Sequence, residues 1–266
     1  MSKPPGRLSP RQRNNLAIAL TAVAGSVDAI GYIVLFHVFT ANMTGNTVGI
    51  GLGLVQHDWW LLARRGFAVP MFMVGMLWSR FAVHVGRMRH WRHTAAILFG
   101  SEAALLAAFA LLGLLLVPEG RVETEASLLY FVLIGLLTLA MGIQNASLSH
   151  FGPLSVRTTH VTGNLATLAD RIAKFAIWFH ESSGRIGLRR TLAVSSAQLS
   201  FRETLFLAAV WLSYLGGAIV GAALLAYWGL GAVLPGVTAL VFVVILDWTE
   251  PILARRNASK AEPSGA

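Results

Sequence analysis

A polar motif occurs twice in this apolar chain, and its residues are of the types that bind solutes and ions inside membrane proteins. Each copy carries a glycine, then an acidic or amide residue, and then the tripeptide Thr-Gly-Asn. The first copy holds Gly25, Asp28 and Thr44-Gly45-Asn46, and the second holds Gly142, Asn145 and Thr162-Gly163-Asn164. The copies lie about 117 residues apart, which indicates an internal repeat. Two related halves around a shared polar site are typical of membrane transporters.

Asp28 is the residue whose position most strongly predicts chemistry. It lies near the middle of the first apolar segment, where a carboxylate costs about 2.5–3.5 kcal/mol on insertion scales. Such residues usually face the interior of a helix bundle and bind ions, protons or substrate. Its counterpart Asn145 is uncharged, and Gln144 adds a neighbouring amide. The pair predicts a site that shares one proton or one cation. The alternative is a structural hydrogen bond from Asp28 to a neighbouring helix.

The two Thr-Gly-Asn elements predict breaks in the helical chain. Thr44, Asn46, Thr162 and Asn164 are residue types that cap the N-terminus of a following helix. A helix that begins there directs the positive end of its dipole at the turn, where free amide groups could hold an anion or a substrate carboxylate. The alternative is that these side chains only satisfy their own backbone around a kink.

The glycines of these elements and one nearby cation complete the predicted site. Gly45 and Gly163 are expected at helix breaks with unusual backbone angles, and the amides that follow them are expected to line one shared cavity. Arg157 precedes the second element and is the cation that would meet an anionic substrate. The alternative for Arg157 is a loop arginine that follows the charge bias of membrane proteins.

Composition identifies the chain as a membrane protein. Hydrophobic residues make up 55% of the 266 residues and charged residues only 12%, with a mean hydropathy of +0.64, whereas soluble domains carry about 25% charged residues. The net charge of +9 comes from basic residues between apolar spans and at the ends, which indicates membrane topology and not nucleic-acid binding. The chain contains no cysteine, which excludes thiolate nucleophiles and cysteine-ligated metals.

The apolar pattern predicts an all-α, polytopic membrane protein whose helices occupy two repeats. We predict a flexible basic arm over residues 1–14, a first membrane repeat over 15–126, a second over 127–250 and a polar tail over 251–266. Six spans are expected, at about 15–38, 67–85, 94–117, 127–148, 204–229 and 232–248. The segments after the motifs, 47–62 and 162–180, are shorter or amphipathic and are predicted to be broken or re-entrant.

Loop charges predict the orientation of these spans in the membrane. Short basic loops remain in the cytoplasm, which places both termini there and the acidic loop 118–126 outside. If segments 47–62 and 162–180 do not cross, each half has three spans with opposite starts, an inverted repeat. Arg64-Arg65 is the exception, because this arrangement places it outside. If both segments cross, the halves have four spans each and the repeat is parallel.

Other polar and small residues receive weaker predictions. Glu102 lies about two turns into the third span and is either a second carboxylate of the site or an interfacial residue, whereas Asp247 is expected at the membrane interface. A stripe formed by Ser213, Gly217 and Gly221 predicts helix packing, within the bundle or between the subunits of a homo-oligomer. We find no H-E-x-x-H or G-x-S-x-G motif, and we predict no enzymatic activity, cofactor or metal.

The repeated motifs also carry a family resemblance. The chain resembles the YoaK-like family of bacterial inner-membrane proteins, which is known as a domain of unknown function. The resemblance extends from about Leu16 to Leu246, and it rests on the stretches A-G-S-V-D-A (24–29), F-T-A-N-M-T-G-N (39–46), G-I-Q-N-A (142–146) and T-T-H-V-T-G-N (158–164). It implies an integral inner-membrane protein of about six helices and supplies no substrate or catalytic residue.

Two functions of different classes follow from the sequence. The first is a small secondary transporter or permease for an unidentified solute, and it depends on the inverted repeat, the twin breaks and Asp28. The second is a membrane scaffold or assembly protein in which the polar breaks serve only the architecture.

Overall fold

The computed structural model describes residues 9–117, 127–148, 161–249 and 252, and every regular element in this part of the chain is a helix. The predicted acidic loop, most of the arm and most of the tail lie outside these residues. The α-helices are α1 (Pro10–Val34), α2 (Met43–Gln56), α3 (Trp59–Met88), α4 (Thr94–Leu116), α5 (Leu128–Leu148), α6 (Val161–Ile186), α7 (Leu188–Ser195), α8 (Leu199–Trp228) and α9 (Leu234–Thr249).

The membrane-spanning helices are long and apolar. Within the described residues, five stretches could cross a bilayer by length and composition: Arg11–Val34, Trp59–Met88, Thr94–Leu116, Leu128–Ser147 and Leu199–Thr249. The fifth stretch contains both α8 and α9, which are joined by one 3₁₀ turn (Gly229–Val233). Gly229 has φ of 53°, a left-handed conformation that favours glycine, and it ends α8. The prediction of an all-helical, polytopic membrane protein is therefore confirmed.

The helices that follow the two motifs differ from these spans. Helix α2 has 14 residues and is about 21 Å long, whereas the hydrocarbon core of a bilayer is about 30 Å thick. Helix α6 has 26 residues, but it carries an ion pair between Lys174 Nζ and Asp170 Oδ2 at 2.8 Å on its exposed face. The hydrogen bond from Lys174 lowers the pKa of Asp170 below its ordinary value. Neither α2 nor α6 is among the candidate spans.

Helix α1 begins at a local capping motif and ends earlier than its apolar pattern predicts. Ser9 caps it, because the Ser9 hydroxyl accepts a hydrogen bond from the Gln12 amide and the Gln12 side chain accepts one from Ser9. The helix stops at Val34, since Phe36 and His37 have φ of 47° and 64°. Apolar periodicity cannot reveal a left-handed turn made by two non-glycine residues, so the predicted end at position 38 is wrong.

Glycines bring two pairs of helices into backbone contact. On the α1–α8 pair, a Cβ added to Gly25 would overlap Tyr214 O, and one added to Gly217 would overlap Ala22 O. The equivalent contacts on the α3–α5 pair join Gly142 to Phe72 O and Gly75 to Leu139 O. The contacts advance in the same direction along both helices of each pair. Ile18 meets Ser213 and Ser26 meets Gly221 on α1–α8, while Phe67 meets Gly135 and Ser79 meets Ser147 on α3–α5, so each pair is parallel.

The small-residue stripe of α8 is buried by the chain's own first helix. Ser213 Oγ donates to Ile18 O at 2.6 Å, and Gly217 and Gly221 face Ala22 and Ser26 of α1. The packing within the bundle therefore occupies the face that was also considered for a homo-oligomer, and the oligomer interpretation of this face is wrong. Glycines allow helices to pack closely both within one bundle and between subunits, so sequence alone does not distinguish the two interfaces.

Further contacts fix the directions of the first and last helices of the two halves. Gln144 Nε2 of α5 donates to Leu20 O of α1 at 2.8 Å, and Tyr130 Oη donates to Leu35 O at 3.1 Å. These bonds make α1 and α5 antiparallel. Helices α4 and α9 are also antiparallel, because the start of α4 meets the end of α9 and the end of α4 meets the 3₁₀ turn.

The side chain of Asp247, near the end of α9, forms a hydrogen bond with the backbone at the beginning of α4. Its Oδ2 accepts a hydrogen bond from Ala96 N at 2.9 Å and its Oδ1 accepts one from Ile252 N at 2.7 Å. Asp247 is fully buried, and the ring of His93 stacks on Trp248 with the centroids 4.7 Å apart. Asp247 therefore caps a distant helix through contacts that the sequence does not show, and its position at the membrane interface stays a prediction.

Candidate functional site

A cavity of about 490 Å³ lies where the two motifs meet. Helices α1 and α8 form its walls, and the break after α1 and the first turns of α2 and α6 complete it. The residues that carry the argument below are Asp28, Tyr32, Thr44, Thr162, Tyr214 and Ala218. Its volume falls in the range of small-molecule sites, about 300–1,000 Å³. The prediction that both Thr-Gly-Asn elements contribute to one cavity agrees with this geometry.

Asp28 connects the cavity to the break between α1 and α2. Its Oδ1 accepts hydrogen bonds from Thr40 N at 2.8 Å, Thr40 Oγ1 at 3.1 Å and Ala41 N at 2.8 Å. Its Oδ2 accepts one from Tyr214 Oη of α8 at 2.6 Å. The carboxylate is only 6% exposed. Asp28 therefore makes the structural hydrogen bonds that the sequence offered as an alternative, and it also lines the cavity.

The first Thr-Gly-Asn element lies inside the first turn of α2. The N-cap is Asn42, whose Oδ1 accepts a hydrogen bond from Gly45 N at 3.1 Å, so Thr44 and Asn46 are not the caps predicted for this helix. Asn46 is buried and instead bonds both backbone groups of Phe39, at 2.7 Å to its oxygen and 3.1 Å from its nitrogen. Asn46 thus ties the break to α2, and Thr44 lines the cavity.

Gly45 is required by close packing and not by an unusual backbone angle. It has helical geometry, and a Cβ at this position would lie 2.8 Å from Cε2 of Phe39. Arg65 of α3 also holds this region, with Nη1 donating to Gly45 O at 3.0 Å and Nη2 to His37 O at 2.9 Å. Arg65, which the six-span arrangement places outside against the charge rule, is thus a structural clamp on the break.

The second element begins α6. Helical structure is present from Val161, so Thr162 and Asn164 lie within the helix and are not its N-cap as predicted. Thr162 lines the cavity, Asn164 is buried, and Gly163 is helical with its oxygen accepting from Thr167 Oγ1 at 2.9 Å. The predicted lining by amides 46–48 and 164–166 is wrong, because the threonines at the start of each motif reach the cavity instead. Arg157 lies outside the described residues.

Asp28 and its counterpart Asn145 do not form the predicted pair. No hydrogen bond between them occurs in the described part of the chain, and Asn145 is absent from the cavity wall. Asn145 is 8% exposed, and its Oδ1 has no hydrogen-bond partner among the described residues. Gln144 is fully buried and bonds the backbone of α1. Gln144 therefore belongs to the contact between α1 and α5.

Tyr214 is the site residue that sequence analysis missed. It stands at the α8 position equivalent to Phe72 of α3, because each lies three residues before a glycine that touches the opposite helix. A hydroxyl-bearing ring in a packed apolar helix needs a hydrogen-bond partner. That signal, together with an unpaired acid in α1, was available in the sequence.

Comparison with known proteins identifies the family. The model of a family described as a protein of unknown function, DUF1275, matches residues 16–246. The chain belongs to this family. It is 32% identical over 161 residues to the UPF0700 transmembrane protein YoaK of Bacillus subtilis (strain 168), an alignment that covers 60% of the chain and 68% of that relative. The resemblance to the YoaK-like family is confirmed.

A second relative gives the same result. The DUF1275 chain is 29% identical over 175 residues to the UPF0700 transmembrane protein RA0705 of Rhizobium meliloti (strain 1021), which covers 64% of the chain and 68% of that protein. No solved structure matches the chain. The membrane character of the chain therefore agrees with the names of its relatives.

Glu102 of this DUF1275 protein is buried away from the cavity in α4. It is fully inaccessible to solvent, and neither carboxyl oxygen has a hydrogen-bond partner among the described residues. Glu102 does not line the cavity, so its predicted role as a second carboxylate of the site is wrong, whereas its interfacial position stays a prediction. An unpaired polar group in an apolar interior costs free energy that an apolar side chain of similar size would not.

We expect Glu102→Met to raise the free energy of unfolding by about 1–3 kcal/mol, because methionine fills a similar volume without desolvating a carboxyl group. The measurement is the thermal unfolding midpoint of the purified protein in detergent. Glu102→Gln is the matched control and should leave the midpoint close to that of the wild type, since its amide is equally unpaired. A lower midpoint for Glu102→Met would show that Glu102 has a partner that stabilises the fold.

Proposed function

We propose that this protein is a small secondary transporter or permease, and that the cavity beside Asp28 binds its solute. The observation that carries the proposal is the convergence of Asp28, Thr44 and Thr162 on one cavity of about 490 Å³. Residues from both copies of the repeat line this cavity, as expected when a substrate site lies at a repeat interface. The proposal includes no catalytic step.

The proposal includes an inverted repeat of three membrane-crossing helices per half. In the first half these helices are α1, α3 and α4, and in the second half they are α5, α8 and α9. The antiparallel arrangement of α1 with α5 and of α4 with α9 supports opposite orientations for equivalent helices. The matched glycine contacts of α1–α8 and α3–α5 support an equivalence of the halves. Inverted repeats let a transporter open alternately to the two sides of the membrane.

The break between α1 and α2 also supports a transport site. Irregular backbone at membrane depth is tolerated where it is buried in protein or lines a water-filled cavity. Here both conditions hold, because Asp28 and Asn46 satisfy the backbone of residues 39–41 while Phe39 and Asn42 face the cavity. A helix kink without a function would not require an adjoining cavity.

A non-transport scaffold is the second candidate function, and one observation favours it. Four hydrogen bonds already engage the Asp28 carboxylate, so its presence inside the membrane protein has a structural explanation. The scaffold proposal predicts that the cavity can be altered without any change in solute movement.

Flux measurements in proteoliposomes distinguish the two functions. We expect the reconstituted protein to move at least one member of a panel of labelled amines, amino acids, sugars and carboxylates faster than protein-free vesicles do. Asp28→Asn should reduce that flux by about tenfold or more, which corresponds to a loss of about 1.4 kcal/mol, while the protein still elutes as a single folded species.

The matched control for Asp28→Asn is Asp170→Asn, which removes an exposed carboxylate from α6. It should leave the flux unchanged. If no solute in the panel moves, or if Asp28→Asn transports as fast as the wild type, the scaffold is the better explanation.

We further propose that the protein lies in a bacterial inner membrane with both termini in the cytoplasm. Six crossings by α1, α3, α4, α5, α8 and α9 return the chain to the side on which it began. A C-terminal alkaline phosphatase fusion should therefore be inactive and a C-terminal green fluorescent protein fusion bright. A fusion inserted in the loop 118–126 should give the opposite pattern. An active phosphatase at the C-terminus would contradict six crossings.

A further inference from the structure

We infer that the cavity beside Asp28 takes a small organic cation, a protonated amine or a quaternary ammonium group. The inference rests on the proposed transport site and names its substrate class. Its first support is charge, because Asp28 is the one charged side chain among the lining residues that the structure describes. Lysine, arginine and histidine are absent from that set. A site walled in this way attracts positive charge and repels carboxylates and phosphates.

The Asp28 carboxylate retains capacity to bind a ligand. Three donors saturate Oδ1, whereas Oδ2 has a single partner, Tyr214 Oη. Each carboxylate oxygen can accept about two hydrogen bonds, so Oδ2 has one acceptor position left. A ligand N–H that reaches this oxygen would complete its coordination without breaking the bonds that hold Thr40 and Ala41.

Three aromatic residues contribute to the wall of the cavity. Tyr32, Phe39 and Tyr214 all line the cavity, and the rings of Tyr32 and Phe39 lie 4.7 Å apart between centroids. The face of an aromatic ring attracts a cation, and several such faces around one space are the usual recognition device for alkylated ammonium groups. A space of about 490 Å³ is also far larger than a bare metal ion requires, which favours an organic cation.

Among the residues that the structure describes, two positive features near the site do not reverse this preference. The guanidinium of Arg65 lies 6.0 Å from the centroid of Phe39, but its N–H groups are directed to His37 O and Gly45 O and it does not line the cavity. The first turns of α2 and α6 each carry about half a positive charge. At α2 the Gly45 amide is already bonded by Asn42, whereas Asp28 presents a full charge with an open acceptor position.

Calorimetric titration of the full-length protein in detergent tests the inference with three probes of similar shape. Tetramethylammonium is the cation, tert-butanol the neutral analogue and pivalate the anion. We expect saturable binding of tetramethylammonium and at least about tenfold weaker binding of the other two. Stronger binding of pivalate or tert-butanol would overturn the cation assignment. If pivalate or tert-butanol binds more strongly and the protein also moves a neutral or anionic solute, the cation assignment is wrong but the transporter proposal still holds.

Two variants assign the binding to this cavity. Asp28→Asn removes the charge, and Ala218→Leu adds three carbon atoms inside the cavity without touching the hydrogen bonds of Asp28. Each should weaken tetramethylammonium binding by about tenfold or more. Ala223→Leu, which adds the same atoms at an exposed position of α8, should bind like the wild type. If Asp28→Asn does not fold, Ala218→Leu decides alone, and unchanged binding in Ala218→Leu overturns the inference.

The same ammonium chemistry occurs in free solutes and in lipid headgroups. Competition by dihexanoylphosphatidylcholine against tetramethylammonium distinguishes the two sources. Displacement at lower concentration than choline requires would assign the site to a headgroup, and displacement by choline alone would assign it to a dissolved solute. Displacement of tetramethylammonium by neither compound would overturn the organic-cation site, since both carry the same trimethylammonium group.

Discussion

Gly217→Ala is expected to abolish most of the folded, monodisperse protein. The added Cβ would overlap the carbonyl oxygen of Ala22, and it would lie 2.7 Å from the carbonyl carbon and 2.8 Å from the Cα of the same residue. These are backbone atoms of α1, which cannot rotate away as a side chain can. Overpacking of a rigid contact costs about 1–3 kcal/mol and sometimes more. Because α1 and α8 would have to separate along the contact, we expect about 3 kcal/mol or more here.

The preceding residue provides the control. A Cβ at Gly216 would have no neighbour within 4 Å, so Gly216→Ala should stay within about 0.5 kcal/mol of the wild type. The measurement is the thermal midpoint in detergent together with the fraction of protein in the monodisperse peak. Equal stability of the two variants would show that α1 and α8 are not in backbone contact.

Asp28→Ala should destabilise the protein far more than Asp28→Asn. Alanine leaves the amides of Thr40 and Ala41 without an acceptor in a buried environment, and each unsatisfied group costs about 1–3 kcal/mol. We therefore expect a loss of about 3–5 kcal/mol. Asparagine keeps a carbonyl oxygen for the two amides and should cost about 1–2 kcal/mol.

The difference between the two variants separates the architectural role of Asp28 from its role in binding. Reversible unfolding in mixed detergent micelles gives the two free energies, and proteoliposome flux gives the activity. Asp28→Asn should fold and lose flux, whereas Asp28→Ala should lose both. Equal stability of Asp28→Ala and the wild type would mean that the break after α1 is held by other contacts.

The spans were predictable because crossing a bilayer imposes a length and an apolar composition. The α4 and α5 boundaries, for example, differ from the predicted ones by one residue at most. The end of α1 was not predictable to the same degree, since a left-handed turn at Phe36 and His37 ends the helix and Asp28 and Asn46 hold the following residues 39–41 by hydrogen bonds. Bonds between residues distant in sequence decide such boundaries.

The candidate site was predictable in its components but not in its contacts. The repetition of the motif identified Asp28, Thr44 and Thr162, all of which line the cavity. It also suggested that Asp28 would meet Asn145, because symmetry places equivalent residues in equivalent positions. Symmetry does not require those positions to be adjacent, and Asp28 bonds Tyr214 instead. Sequence patterns along one helix contain no information on which helix lies opposite.

The exchange of partners between the two proposed halves has a mechanical consequence. Helix α1 of the first half is joined at glycines to α8 of the second, and α5 of the second half is joined in the same way to α3 of the first. Helices locked by backbone contact slide or part only when those contacts are lost, so we expect each pair to move as one piece. The rigid units that move would then be helix pairs drawn from both proposed repeats, and not the repeats themselves. A cross-link within the α1–α8 pair should leave activity intact, whereas one between that pair and α3–α5 should arrest it.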